Sequence, residues 1–153
     1  MVLFEDTRNQ IGKHQNIHAY CEKRGIEIIR QAMCVGDYAI ANRHDICIDT
    51  KMDVKELAMD VFQEHERFRD ECERAQRCGI QLIVLVEEAL PHGRLDLWRS
   101  PVKKDGTPMC LFDPKILRKA MYTMQDKYGV RFRFCDSRST GKQLLEYLEG
   151  KRT

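Results

Sequence analysis

The 153 residues suit one domain with its own core, and 42% hydrophobic against 33% charged residues excludes a disordered polyelectrolyte. The longest apolar run, residues 80 to 86, is too short for a membrane span and is broken by Gln81. The first residues form no basic and apolar leader, so membrane, secreted and fibrous classes are set aside and an intracellular, cytoplasmic protein is expected.

Twenty-six basic and 24 acidic side chains give a net charge of +2, which leaves nucleic-acid binding to local clusters such as Lys103-Lys104 or Lys115, Arg118 and Lys119. Seven cysteines without a Cys-x-x-Cys pair read as reduced thiols used as small apolar residues.

In chain order, Val2 to Asp6 predicts a first strand and Ile11 to Lys23 a helix stopped at Gly25. Ile26 to Met33 is a β-branched strand. Tyr38 to Ala41 and Ile46 to Thr50 follow as two strands joined by a tight turn at Asn42-Arg43-His44. From Val54 to Ala75, apolar residues recur at three- and four-residue steps, which predicts one long helix with His65 at the edge of its buried stripe. Gln81 to Val86 reads as a buried central strand. Residues 88–112 hold three of the four prolines and are expected to form an irregular surface insertion. Asp113-Pro114 opens a helix that ends at Tyr128-Gly129. Val130 to Cys135 is a strand and Ser139 to Glu149 a closing helix. This order predicts a single α/β domain over residues 1–153, a mixed central sheet flanked by helices.

The chemistry gathers around Gly36-Asp37-Tyr38 and Ile48-Asp49-Thr50-Lys51. A turn centred on Arg43 places Asp37 opposite Asp49, and the two-residue period of a strand puts Lys51 on the same face. Asp37 and Asp49, with the Thr50 carbonyl, offer oxygen ligands to Mg²⁺ or Mn²⁺. Such a cation eases deprotonation of water and neutralises charge on a phosphodiester oxygen. Lys51 is placed to orient or activate that water and to stabilise the transition state. The plain alternative for the trio is a strand-end salt bridge on a wet sheet face.

These segments resemble the signature of the XPF-type structure-specific endonucleases, of the PD-(D/E)xK nuclease superfamily. Phe4 to Asn9 resembles that family's opening Asp-x-Arg-Glu motif, and Arg67-Phe68 its Arg-bearing helix. Three positions depart: Asn9 stands for the usual Glu, Thr50 for the Arg of Glu-Arg-Lys, and Glu71 for Gln. No helix-hairpin-helix tandem follows, which is similar to stand-alone phage and prophage forms. The resemblance implies a restriction-endonuclease-like core and a metal-dependent DNA endonuclease selective for branched or forked DNA. Asp37, Asp49 and Lys51 are then catalytic, Asp6 is an auxiliary acid at the metal, and Arg8 and Arg67 contact DNA. The competing readings are a non-catalytic DNA-binding or assembly subunit, and a Holliday junction resolvase.

Other patterns carry less. His14, His18 and Cys21 share a helix face at zinc-ligand spacing, but an exposed polar face is the better expectation. Ser139-Thr140-Gly141-Lys142 lacks the upstream Gly of a phosphate loop; it reads as a helix cap at which Lys142 can meet a DNA phosphate. Trp98 anchors its loop or stacks on a base. Met121, Tyr122, Met124, Leu144, Tyr147 and Leu148 widen the apolar faces of the last two helices and point to a homodimer.

Overall fold

The computed structural model describes residues 1–153. A six-stranded sheet runs through it: β1 (Val2–Asp6), β2 (Glu27–Gln31), β3 (Tyr38–Ile40), β4 (Arg43–Lys51), β5 (Gln81–Val86) and β6 (Arg131–Phe134). The strand order is β2-β1-β3-β4-β5-β6. β3 pairs antiparallel with β1 and β4, whereas β1 with β2, and β4 with β5 and β6, are parallel, so the sheet is mixed as expected.

Five α-helices cover both faces: α1 (Gln15–Lys23), α2 (Val54–Phe62), α3 (His65–Arg77), α4 (Pro114–Tyr128) and α5 (Thr140–Leu148). Alternation along the strands divides the core in two. Cys47, Leu82, Val84, Val86 and Phe132 pack under α2, α3 and α4. Leu3, Ile48, Ile83 and Leu85 pack under α1 and α5. No helix is long and apolar enough to cross a membrane, and all seven cysteines are free.

Four expectations need correction. The first helix begins at Gln15, because Ile11 to His14 turn at Gly12, whose φ is 85°. The long helix is two: the chain breaks at Gln63-Glu64, where both N–H groups donate to the Met59 carbonyl. His65 therefore opens α3 and is exposed rather than edging the core. The hairpin turn is Ala41-Asn42, closing on the Ile40–Arg43 pair. Residues 88–112 also do more than skirt the surface. Leu95 and Trp98 are buried in the core under α2 and α4, with two short 3-10 helices and a Val102–Pro108 bridge organising the rest. Trp98 donates to Glu88 Oε2 and stacks on Phe112 at 5.0 Å, so it anchors the loop and has no face left for a base.

Candidate active site

The irregular register of the β3–β4 pair builds the site. Ile40 pairs with Arg43 but Tyr38 pairs with Ile48, so a bulge on β4 absorbs the extra residues. The pairing that results brings Asp37 beside Asp49, as a turn centred on Arg43 would have done. Gly36 makes the approach possible: its φ is 70°, and a Cβ there would stand 2.9 Å from the Ile48 carbonyl oxygen. Asp37 is then tied on both sides, donating its N–H to the Ile48 carbonyl at 2.7 Å and accepting the Asp6 N–H at 2.8 Å.

Odd residues of β4 face α2 and α3, so Asp49 and Lys51 continue the face that begins with Cys47. Asp6, at the end of β1, enters from the other side. The cleft formed there has a volume of about 490 Å³ and is lined by Asp6, Arg8, Asp37, Asp49, Thr50, Lys51 and Arg67 among others. Seven of the eight expected site residues thus meet in one place. Lys142 does not: it lies in a separate cleft with Tyr20 and Arg24, beside Glu146.

The hydrogen bonds define what each group can do. Asp37 Oδ2 accepts from the Thr50 N–H at 2.8 Å and the Thr50 hydroxyl at 2.6 Å, which leaves Oδ1 available. Both oxygens of Asp6 hold partners, the Met33 N–H at 3.0 Å and Arg8 Nε at 2.5 Å. Asp6 and Arg8 therefore staple the first strand as well as lining the cleft. Lys51 Nζ lies 2.7 Å from Asp49 Oδ2 and 2.5 Å from Asp60 Oδ2. Arg67 is largely exposed and pairs with Glu64 at 3.3 Å.

Burial pushes the Asp49 carboxyl well above the usual carboxylate range; Lys51 pulls it back down, and the charges of Asp37 and Glu71 raise it further. Burial also works against the Lys51 charge, but Asp49 and then Asp60 outweigh it and raise its pKa. Lys51 is thus held as an ammonium. It can donate hydrogen bonds and stabilise negative charge that develops in the cleft.

The cleft fits a divalent cation on three grounds. Seven carboxylates and five cationic side chains line it, so a phosphodiester meets net negative charge unless a cation intervenes. Asp49 Oδ2 is buried and, beyond its ion contact with Lys51, makes no hydrogen bond of good geometry. The donors are oxygens, which suits Mg²⁺ or Mn²⁺. No three His, Cys, Asp or Glu side chains form a metal cage, so a cation would rest on two carboxylates, a carbonyl and water, the ordinary manner of Mg²⁺.

Sequence reasoning missed several lining residues. Asp60, Glu56 and Lys13 come from outside the motif strands, and no local spacing announces them. Glu71, singled out only as a departure, lines the cleft and accepts the Gly36 N–H at 2.8 Å. Asn9 lines it too, with an Nδ2 that is buried without a partner. The His14 face is not an exposed polar one: His14 and Cys21 are buried, with His14 Nε2 3.4 Å from the Thr50 hydroxyl, and His18 contacts Glu5 instead. The Ser139 side chain caps nothing. Asp136 caps the turn before α5, and Gly141 is there because its backbone lies against Tyr20.

A family model described as the ERCC4 domain matches residues 6–148. The fold is similar to that of XPF from Aeropyrum pernix, with a TM-score of 0.68 and 17% identity over 99% of this chain. It is equally similar to the same protein solved in complex with DNA, with a TM-score of 0.67 and 18% identity over 98% of this chain. The chain spans 65% and 64% of those two structures. No curated protein matches it in sequence.

Proposed function

The chain belongs to the ERCC4 domain family, and from that premise we propose that it is a metal-dependent endonuclease that hydrolyses DNA phosphodiester bonds, preferring branched or forked DNA. The observation that carries this reading is the convergence of Asp37, Asp49 and Lys51 in one acidic cleft with an under-satisfied buried carboxylate oxygen. Asp37, Asp49 and the Thr50 carbonyl would hold Mg²⁺ or Mn²⁺. Bound there, the cation supplies Lewis acidity toward a phosphodiester oxygen and makes water easier to deprotonate.

The remaining roles fall to the chain itself. Thr50 fixes Asp37 through two hydrogen bonds to one oxygen, so the other keeps a constant aim. Lys51 presents a fixed positive charge to the charge growing on the phosphoryl group. Arg8, Lys13, Arg67 and Arg74 line the same cleft and can meet flanking phosphates. Lys142, in the first turn of α5 and outside this cleft, would serve a different stretch of DNA. The reading places the protein inside the cell and pairs it with a second copy.

The test is cleavage of labelled duplex, flap, fork and four-way junction in Mg²⁺ and in Mn²⁺. Flap or fork should be cut, and Asp49→Ala should lower the rate by roughly 10²- to 10³-fold or more while DNA binding persists. Thermal unfolding gives a second readout: a cation at 100 times its Kd stabilises by about 2.7 kcal/mol, and that gain should vanish in Asp49→Ala. Metal-independent stability with no cleavage of any substrate identifies a non-catalytic subunit. Paired symmetric nicks in the junction identify a resolvase.

A further inference from the structure

Lys51 is held by one carboxylate more than its charge requires. Asp49 and Asp60 both lie within 2.7 Å of its ammonium, and the Phe68 ring lies beneath it at 5.5 Å. Asp60 belongs to no recognised motif. It comes from the second turn of α2, three residues after the buried Leu57, and so stands at the margin of the stripe that packs on the sheet. That position delivers its carboxylate to the cleft wall. Its side chain is 21% exposed and that of Lys51 9%.

If Asp49 serves a cation, its oxygens are drawn toward that charge and its grip on Lys51 weakens. A four-carbon ammonium with one weakened partner would then sample several rotamers. A second acid on a rigid helix prevents this. We propose that Asp60 is a positioning residue that keeps the Lys51 ammonium aimed into the cleft while Asp49 is committed to the cation. The proposal rests on the nuclease reading above, and it assigns Asp60 to neither the metal nor the DNA.

Asp60→Asn keeps the shape and one oxygen but loses the charge, and Asp60→Glu restores the charge on a longer stem. With the best DNA substrate in Mn²⁺, Asp60→Asn should lower kcat about 10- to 100-fold with KM and the Mn²⁺-induced rise in Tm unchanged, and Asp60→Glu should recover part of the loss. An unchanged kcat overturns the proposal. So does a loss of the Mn²⁺ response, which would make Asp60 a ligand, or a rise in KM alone, which would make it a DNA contact. A second measurement does not depend on cleavage: acylation of Lys51 by a small amine-reactive ester in the presence of Mn²⁺, read by mass spectrometry. It should be faster in Asp60→Asn than in wild type, and equal rates overturn the proposal. A wild-type protein that cuts no DNA removes the nuclease reading, whereas the acylation rates still decide the contact.

Discussion

Glu5 is a carboxylate buried in the sheet, with 2% of its side chain exposed, and it stays charged because three groups converge on it. His18 Nε2 and the Tyr38 hydroxyl each lie 2.5 Å from Oε2, and Arg30 pairs with Oε1. Burial works to raise its pKa, but the hydrogen bonds from His18 and Tyr38, with the charges of His18 and Arg30, outweigh it and hold it below 4.5. A carboxylate with a depressed folded-state pKa contributes stability that is fully present above its unfolded value and is lost as pH falls through the folded one. Glu5→Gln should therefore cost about 2 kcal/mol at pH 7, and the gap to wild type should close as pH falls below the ordinary glutamate range. Urea unfolding of both proteins at pH 7 and pH 3 checks this; a gap that ignores pH would mean that packing rather than charge holds the residue.

The same scale shows what a sequence can and cannot disclose. Asp37, Asp49 and Lys51 are legible because their order along two paired strands and the two-residue period fix their faces. Asp60 and Glu71 are not legible, because which turn of a helix meets a cleft depends on where the helix docks. The partners of Glu5 lie on three different elements, and nothing in a strand-end Glu-Asp pair announces them.

At the scale of elements, periodicity gives the stripe from Val54 to Ala75 but hides the break within it. Val61 and Phe68 are seven residues apart, two full turns, so the buried faces of α2 and α3 stay nearly in phase across Gln63-Glu64. The hairpin conceals its geometry in a similar way: turn and bulge differ from a simple reading, yet their offsets cancel at Asp37 and Asp49.

Gly141 carries an element-level consequence. It is the second residue of α5, and a Cβ on it would stand 2.6 Å from Tyr20 Cβ, so the glycine sets how closely α5 lies on α1. Gly141→Ala raises local helix propensity yet forces the two helices apart. The expected outcome is a net loss of about 1–3 kcal/mol, seen as a fall of roughly 3–10 °C in Tm with circular dichroism unchanged. A rise in Tm would show that propensity outweighs the contact.

At the scale of the whole molecule, the apolar surface is not where the helix stripes alone would put it. Met121, Leu144, Tyr147 and Leu148 are buried in the domain's own core, and of that set only Tyr122 is well exposed, at 60%. Five of the eleven exposed large apolar side chains, Met59, Phe62, Met109, Leu111 and Ile116, line a groove of about 690 Å³ between α2 and residues 103–116. Leu111 is 88% exposed. Contiguous apolar surface of this kind marks contact sites in soluble proteins. It escapes sequence analysis because α2 contributes its outer face and residues 103–112 a wall whose position no periodicity specifies.

Self-association, if it uses apolar burial, should therefore use this groove and not the Met121 and Met124 face of α4 or the Leu144 and Leu148 face of α5. Lys55, Lys103 and Asp113 also line it, so a twofold pair brings two grooves of net positive charge together. Their repulsion is screened by salt, whereas apolar burial is not. Light scattering at micromolar concentration should thus give a dimer mass that becomes more complete between 50 mM and 500 mM NaCl. Leu111→Glu should return the protein to a monomer with its Tm and its Mn²⁺ response intact, because the side chain is almost wholly exposed in the single chain. Tyr147→Ala should instead lower Tm without selectively dissociating the dimer, since its ring belongs to the core. A monomeric mass at every salt concentration would leave the groove to another partner and end the dimer reading.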